Sequence, residues 1–130
     1  MLIRIVCPEH CAYEGEAAFV VVPSTDGECG ILPKHANEIC TITDGYVRVC
    51  DKEMGTVDHT FAVGGGYAQI ADDTVIVLAE RACDLAGVDA EKVKVELQGF
   101  EDNLRNLSED DARRAYLYNE IAWCKLLLAK

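Results

Sequence analysis

The stretch Thr74–Leu97, TVIVLAERACDLAGVDAEKVKVEL, decides the fold, because two periodicities meet inside it. Its opening TVIVLA is apolar on both faces and β-branched, which predicts a deeply placed strand. Past Leu85-Ala86-Gly87 the period changes. Between Asp89 and Arg105 the apolar residues Val93, Leu97, Phe100 and Leu104 recur at spacings of four, three and four, one stripe of a helix. Strands before this point and helices after it predict an α+β chain with two segregated parts.

From Leu2 to about Cys83 the chain shows short β-forming runs broken by turn signals, the rhythm of a sandwich or barrel. The runs are LIRIVC, AAFVVVP, GILP, EICTI, YVRVC, TFAVGG, YAQIA and TVIVLAE. Val47 and Val49 alternate with other residues, as do Phe61 and Val63, so these four are expected to face inward. Thr43-Asp44-Gly45 and Ala71-Asp72-Asp73 are predicted hairpin turns, since their residues tolerate tight-turn dihedrals.

Beyond a break at Asn106-Leu107, Ser108 followed by Asp111 resembles a capping box and predicts the start of a second helix. Ala112, Ala115, Tyr116, Asn119, Ala122, Trp123 and Leu126 would share its packing face. Two helices joined by about three residues pack as an antiparallel hairpin. Neither is long enough to be secure alone in water, so the pair needs a surface to cover its apolar stripe.

Twelve Lys and Arg against 23 Asp and Glu give a net charge of -11, which repels phosphate backbones and anionic lipid. Nucleic acid is therefore not an expected partner. The chain has no apolar run long enough for a spanning helix, and MLIRIVCPEH lacks the pattern of a signal peptide. A cytoplasmic chain without membrane insertion is expected, and its seven cysteines are expected to be reduced and to act mostly as small hydrophobes.

Three stretches invite chemistry. Gly64-Gly65-Gly66 lacks the Lys-Ser or Lys-Thr of a phosphate loop and precedes a strand, so a tight turn or close backbone approach is expected instead. Cys7, His10 and Cys11 in CPEHC are metal-ligand types, but a structural zinc site wants a second pair. His35 and Cys40 would have to arrive there through folding. The alternative is a loop after the first strand, turned by Pro8 and Glu9. Cys29 with His35 has the composition of a nucleophile and base, without an orienting third residue or oxyanion motif. A thiol or metal enzyme built on Cys29/His35 or on Cys7/His10/Cys11 is thus one alternative reading. A small-ligand sensor with a pocket between strands and hairpin is another.

The segment Asp26–Ala36, DGECGILPKHA, resembles the GxxGILPxHAP stretch of the epsilon subunit of F-type ATP synthases, with Asn37 where proline is usual. Asp44–Val49 is similar to that family's GxxRI strand, Phe61–Ile70 to its SGGxxEV segment, and Thr74–Ala82 to its VTVLADxA strand. The resemblance implies a β-sandwich of about ten strands over 1–85, followed by a helical hairpin over 86–130. It implies a non-catalytic subunit of the central rotor, bound to the gamma subunit and the ring of c subunits at the cytoplasmic face of the cell membrane. The interface residues it implies are Glu28, Gly30, Ile31, Leu32, Pro33, His35 and Ile39. The hairpin would be a switch hinged at Leu85–Val88 that impedes ATP hydrolysis, reaching the alpha and beta subunits when extended.

Some members of that family hold ATP in the hairpin with a hydrophobic-Asp-x-x-Arg-Ala motif. Here the motif reads Val88-Asp89-Ala90-Glu91-Lys92-Val93, so Asp89 is kept and Lys92 replaces the arginine. Asp89, Lys92, Arg113, Arg114 and Lys125 are the candidate nucleotide residues. Lys92 lacks the planar fork that grips phosphate through two hydrogen bonds, and Glu120 and Ile121 interrupt the basic series. Weak or absent ATP binding is expected, with no other cofactor.

Overall fold

The computed structural model describes residues 1–129; Lys130, the last residue of the predicted hairpin segment, lies outside them. The chain divides into two compact units, Met1–Ala86 and Gly87–Lys130. The first holds ten strands: β1 (Leu2–Cys7), β2 (His10–Glu16), β3 (Phe19–Ser24), β4 (Gly27–Ile31), β5 (Glu38–Ile42), β6 (Gly45–Cys50), β7 (His59–Val63), β8 (Gly66–Ala71), β9 (Thr74–Ala79) and β10 (Ala82–Asp84). A 3-10 turn, Leu85–Gly87, precedes α1 (Ala90–Arg105) and α2 (Arg113–Leu128).

Nine strands hydrogen-bond along one path, β10-β7-β6-β3-β5-β8-β9-β1-β2, and β4 pairs with β3 beside it. The path folds over on itself. Tyr13 on β2, at one end, packs its ring 5.0 Å from that of Phe61 on β7, next to the other end. Between the two layers lies a single apolar core. Ile3 and Ile5 of β1, Val20 and Val22 of β3, Val47 and Val49 of β6, and Val75 and Val77 of β9 are all fully buried. Each such side chain contributes about 1.5–3 kcal/mol through removal from water. Every pairing is antiparallel except one: β1 lies parallel to β9, with Ile3 opposite Val75 and Ile5 opposite Val77.

The inward placement of Val47, Val49, Phe61 and Val63 follows the expected alternation. Strand β9 departs from it. Val75, Val77 and Ala79 are buried, whereas Thr74, Ile76 and Leu78 are only half-buried, so the strand has one core face and not two. Strands β2 and β10 have no counterpart among the eight predicted runs. In HCAYEGE the alternation is diluted by polar residues because β2 is a terminal strand of the path, and β10 is three residues long.

Ala71-Asp72-Asp73 is the expected hairpin turn: Ala71 pairs with Thr74, and Asp72 and Asp73 have φ of 52° and 58°. Thr43-Asp44 is not. It joins β5, which pairs with β8, to β6, which pairs with β3 and β7. Asp44 accepts a 2.7 Å hydrogen bond from the Gly65 N–H, so its carboxylate ties this crossing to the glycine triplet. The triplet is a close approach of backbones, since a Cβ at Gly66 would sit 1.9 Å from the Leu78 carbonyl oxygen.

In the second unit the two helices pack on each other. Asp89 caps α1, its carboxylate accepting from the N–H groups of Glu91 and Lys92 at 3.1 and 3.3 Å. Val93 is buried and Leu97, Phe100 and Leu104 are partly covered, as the stripe requires. The second helix differs from expectation in start and in face. It begins at Arg113 and not at Ser108, leaving residues 106–112 as the connection. The reason is local: Asp111 accepts from the Arg113 N–H at 2.9 Å and also holds its guanidinium. Its buried residues are Leu117, Ile121 and Cys124. Of the expected packing face, Ala112, Ala115, Tyr116, Asn119 and Ala122 are exposed, and Trp123 and Leu126 are half-buried. Larger apolar side chains on the neighbouring stripe bury more surface per turn than alanine, and they win the contact.

Candidate functional site

The loop between β3 and β5 is built as a fixed protrusion. Gly27 has φ of 109°, a left-handed conformation that glycine supplies at little steric cost. Gly30 lies against Phe19, whose ring would stand 2.8 Å from an added Cβ. Beyond β4, the Lys34 N–H donates to Asp73 Oδ1 at 2.9 Å, and the His35 N–H donates to the Leu32 carbonyl at 3.2 Å. The first bond anchors the loop on the β8–β9 turn, and the second closes a turn within the loop.

The predicted interface residues divide by burial. Leu32 is 50% and Ile39 69% exposed, so both apolar side chains stand at the surface. Gly30 and Pro33 are exposed and His35 is half-buried. Ile31 is fully buried in the core, so it supports the loop from below and offers a partner nothing. It ends β4 opposite Val20, and the core face of β3 takes its side chain. Glu28 forms an ion pair with Arg48, so its carboxylate is already engaged. Tyr67, 47% exposed, pairs with Thr41 and thereby stands on the same face of the β5–β8 pair as Ile39. It extends the apolar surface, and its alternation within YAQIA was the available signal.

Cys29 and His35 do not make a nucleophile and base. The His35 Nδ1 lies 2.7 Å from the Ala36 carbonyl, which can only accept, so this nitrogen carries the hydrogen. Its Nε2 lies 3.9 Å from Glu38 Oε2. Cys7, His10 and Cys11 do not converge on a metal either. Cys7 is buried, and burial raises its thiol pKa, while the exposed Cys11 points its sulfur to the Tyr13 carbonyl at 3.4 Å. His10 and Cys11 belong to β2 and not to a loop; only Pro8 and Glu9 turn the chain. All seven cysteines are unbridged. Among the described residues, the group able to surround a metal is Cys29, Glu38 and Cys40, whose ligand atoms all lie within 4.8 Å of one another.

The candidate nucleotide residues fall at opposite ends of the hairpin. Asp89 and Lys92 start α1 and Lys125 is in the last turn of α2, whereas Arg113 and Arg114 start α2, about 24 Å along a 16-residue helix. Arg114 reaches the last carbonyls of α1, at Leu104 and Leu107, and stacks over Tyr118. Arg113 belongs to Asp111. A cavity of about 350 Å³ at the turn of the hairpin is lined by Asn103, Asn106, Leu107, Arg113, Tyr116 and Leu117, and it reaches neither Asp89 nor Lys92.

The hydrogen bonds and charge of Arg113 lower the Asp111 pKa from 3.8 to about 2. Because the folded value is depressed, any stability from this pair is complete above the ordinary carboxylate range and is lost as the pH falls toward about 2. Carbon-detected NMR of the Asp111 carboxyl is expected to titrate with a midpoint near that value, and Arg113→Ala to return it to the ordinary range.

Residues 1–84 match the family model of the ATP synthase delta/epsilon chain beta-sandwich domain. Among relatives, the ATP synthase epsilon chain of Rhodospirillum rubrum is 34% identical over 126 residues, 97% of this chain and 92% of that one. The epsilon chain of Desulforamulus reducens is 37% identical over 114 residues, covering 87% and 84%. In fold, the chain is similar to one from the Euglena gracilis mitochondrial ATP synthase, with a TM-score of 0.77 and 21% identity, across 99% of this chain and 79% of that one. A β-sandwich family model matched over residues 1–84, together with epsilon-chain relatives aligned over most of the chain, makes this chain a member of the ATP synthase epsilon-chain family, a non-catalytic subunit.

Proposed function

We propose that the chain is a central-rotor subunit whose β unit joins the gamma subunit to the c ring during ion-driven ATP synthesis. The observation that carries this reading is the pair of exposed apolar side chains, Leu32 on the loop after β4 and Ile39 on the adjoining β5, with the loop backbone held to Asp73 at Lys34. Rigid presentation of apolar anchors lowers the entropy lost on docking, and such anchors dominate interface energetics. The chain acts in this reading as a peripheral subunit at the cytoplasmic membrane face. No helix among the described residues is long and apolar enough to cross a membrane. The hairpin impedes ATP hydrolysis by rearranging about Leu85–Val88, and it binds ATP weakly or not at all, consistent with the separated positions of Asp89, Lys92, Arg113 and Arg114.

The test is reconstitution of a rotor complex depleted of this subunit. Leu32→Asp combined with Ile39→Asp is expected to weaken association by about 2–4 kcal/mol, roughly thirty- to a thousandfold. Both side chains lie outside the core, so circular dichroism should be unchanged. Wild-type association of the double variant would reject the docking surface. A chain ending at Gly87 is expected to join the complex and to leave ATP hydrolysis at least as fast as the intact chain does; slower hydrolysis would reject the inhibitory role.

A further inference from the structure

We propose that Cys29, Glu38 and Cys40 form a binding site for a thiophilic divalent cation of the zinc class, with a fourth position left to solvent. The topology makes the site. Cys29 lies on β4, and Glu38 and Cys40, two residues apart on β5, share one face of their strand. Cys29 lies opposite Val22 of β3 and Cys40 opposite Ala68 of β8, and the fold sets the two thiols and the carboxylate within 4.8 Å of one another. Two sulfur ligands around a tetrahedral zinc stand about 3.8 Å apart, from bonds of about 2.3 Å, so only small side-chain rotations separate this arrangement from a coordination shell.

The donor set selects the ion. Two thiols with a carboxylate suit zinc, while the sulfur excludes magnesium and calcium. Cys29 and Cys40 are half-buried and Glu38 is exposed, so the position is open to ions from solvent. Bound metal would clip together both ends of the Leu32–Asn37 loop. The site requires only the β4 and β5 geometry, and it stands whether or not the loop docks on a partner.

The experiment is titration of the reduced, metal-free, full-length chain with Zn²⁺ and, as a spectroscopic probe, Co²⁺. One equivalent per chain is expected, with a thiolate-to-cobalt charge-transfer band, tetrahedral visible bands and protection of two thiols from alkylation. Cys29→Ser and Cys40→Ser should each lower affinity at least tenfold and reduce the charge-transfer band. Cys83→Ser should leave both unchanged. Glu38→Gln, at an exposed position where folding is not at stake, should also weaken binding. The proposal is overturned by a folded chain that takes up no stoichiometric cation, by full affinity retained in Cys29→Ser and Glu38→Gln, or by conversion of the two thiols to a disulfide with no cation uptake in the reduced chain.

Discussion

Gly66→Ala is expected to cost the β unit about 3 kcal/mol or more, in the range of the most damaging single substitutions. The Cβ would meet the Leu78 carbonyl oxygen at 1.9 Å, and the obstacle is backbone, so no rotamer change can relieve it. Gly66 pairs with Ala79 on one side and Ile42 on the other, so strands β5, β8 and β9 would all have to shift. The fall in Tm should exceed roughly 10 °C. Gly87→Ala, where an added Cβ meets nothing within 4 Å, is the control and should melt close to the wild type. Equal Tm values for the two variants would refute the close approach.

Phe61→Ala is the second large effect, at about 3–5 kcal/mol. Phe61 is 2% exposed, and its ring packs at 5.0 Å against Tyr13 from the far end of the strand path. Removing it opens a void where the two layers meet and takes away the contact by which the path closes over its core. Phe61→Leu fills much of the space and should recover most of the loss. Thermal unfolding of the three proteins checks this, and an alanine variant as stable as the leucine variant would exclude a packing role. Neither Gly66 nor Phe61 lies in the proposed docking surface, so loss of association in these variants should track loss of fold, whereas Leu32→Asp with Ile39→Asp should lose association alone.

What was legible in the sequence were features set by nearest neighbours. The change from period two to period 3.6 around Leu85–Gly87, the inward valines of β6 and the Asp72-Asp73 turn all depend on local geometry, and the structure holds each of them. What was not legible depends on who pairs with whom. Thr43-Asp44-Gly45 has hairpin composition, yet β5 and β6 take other partners. Ile31 and Leu32 are adjacent apolar residues in one motif, and only the β3 pairing decides that the first is core and the second surface. Cys29, Glu38 and Cys40 are separated by up to eleven positions and have no spacing signature; folding alone assembles them. The alanine spacing of α2 does not mark its packing face, because Leu117, Ile121 and Cys124 on the neighbouring stripe carry the packing.

The parallel pairing of β1 with β9 has a consequence for synthesis on the ribosome. β1 can form its antiparallel contact with β2 at once, but its other edge finds a partner only when Thr74–Ala79 has emerged. For most of translation the strand that carries Ile3 and Ile5 therefore exposes a row of unsatisfied amides and carbonyls, a template for wrong pairing. Non-local closure of this kind is slow. The helices α1 and α2 are synthesised after Thr74–Ala79, so β1 can meet β9 while they are still being made.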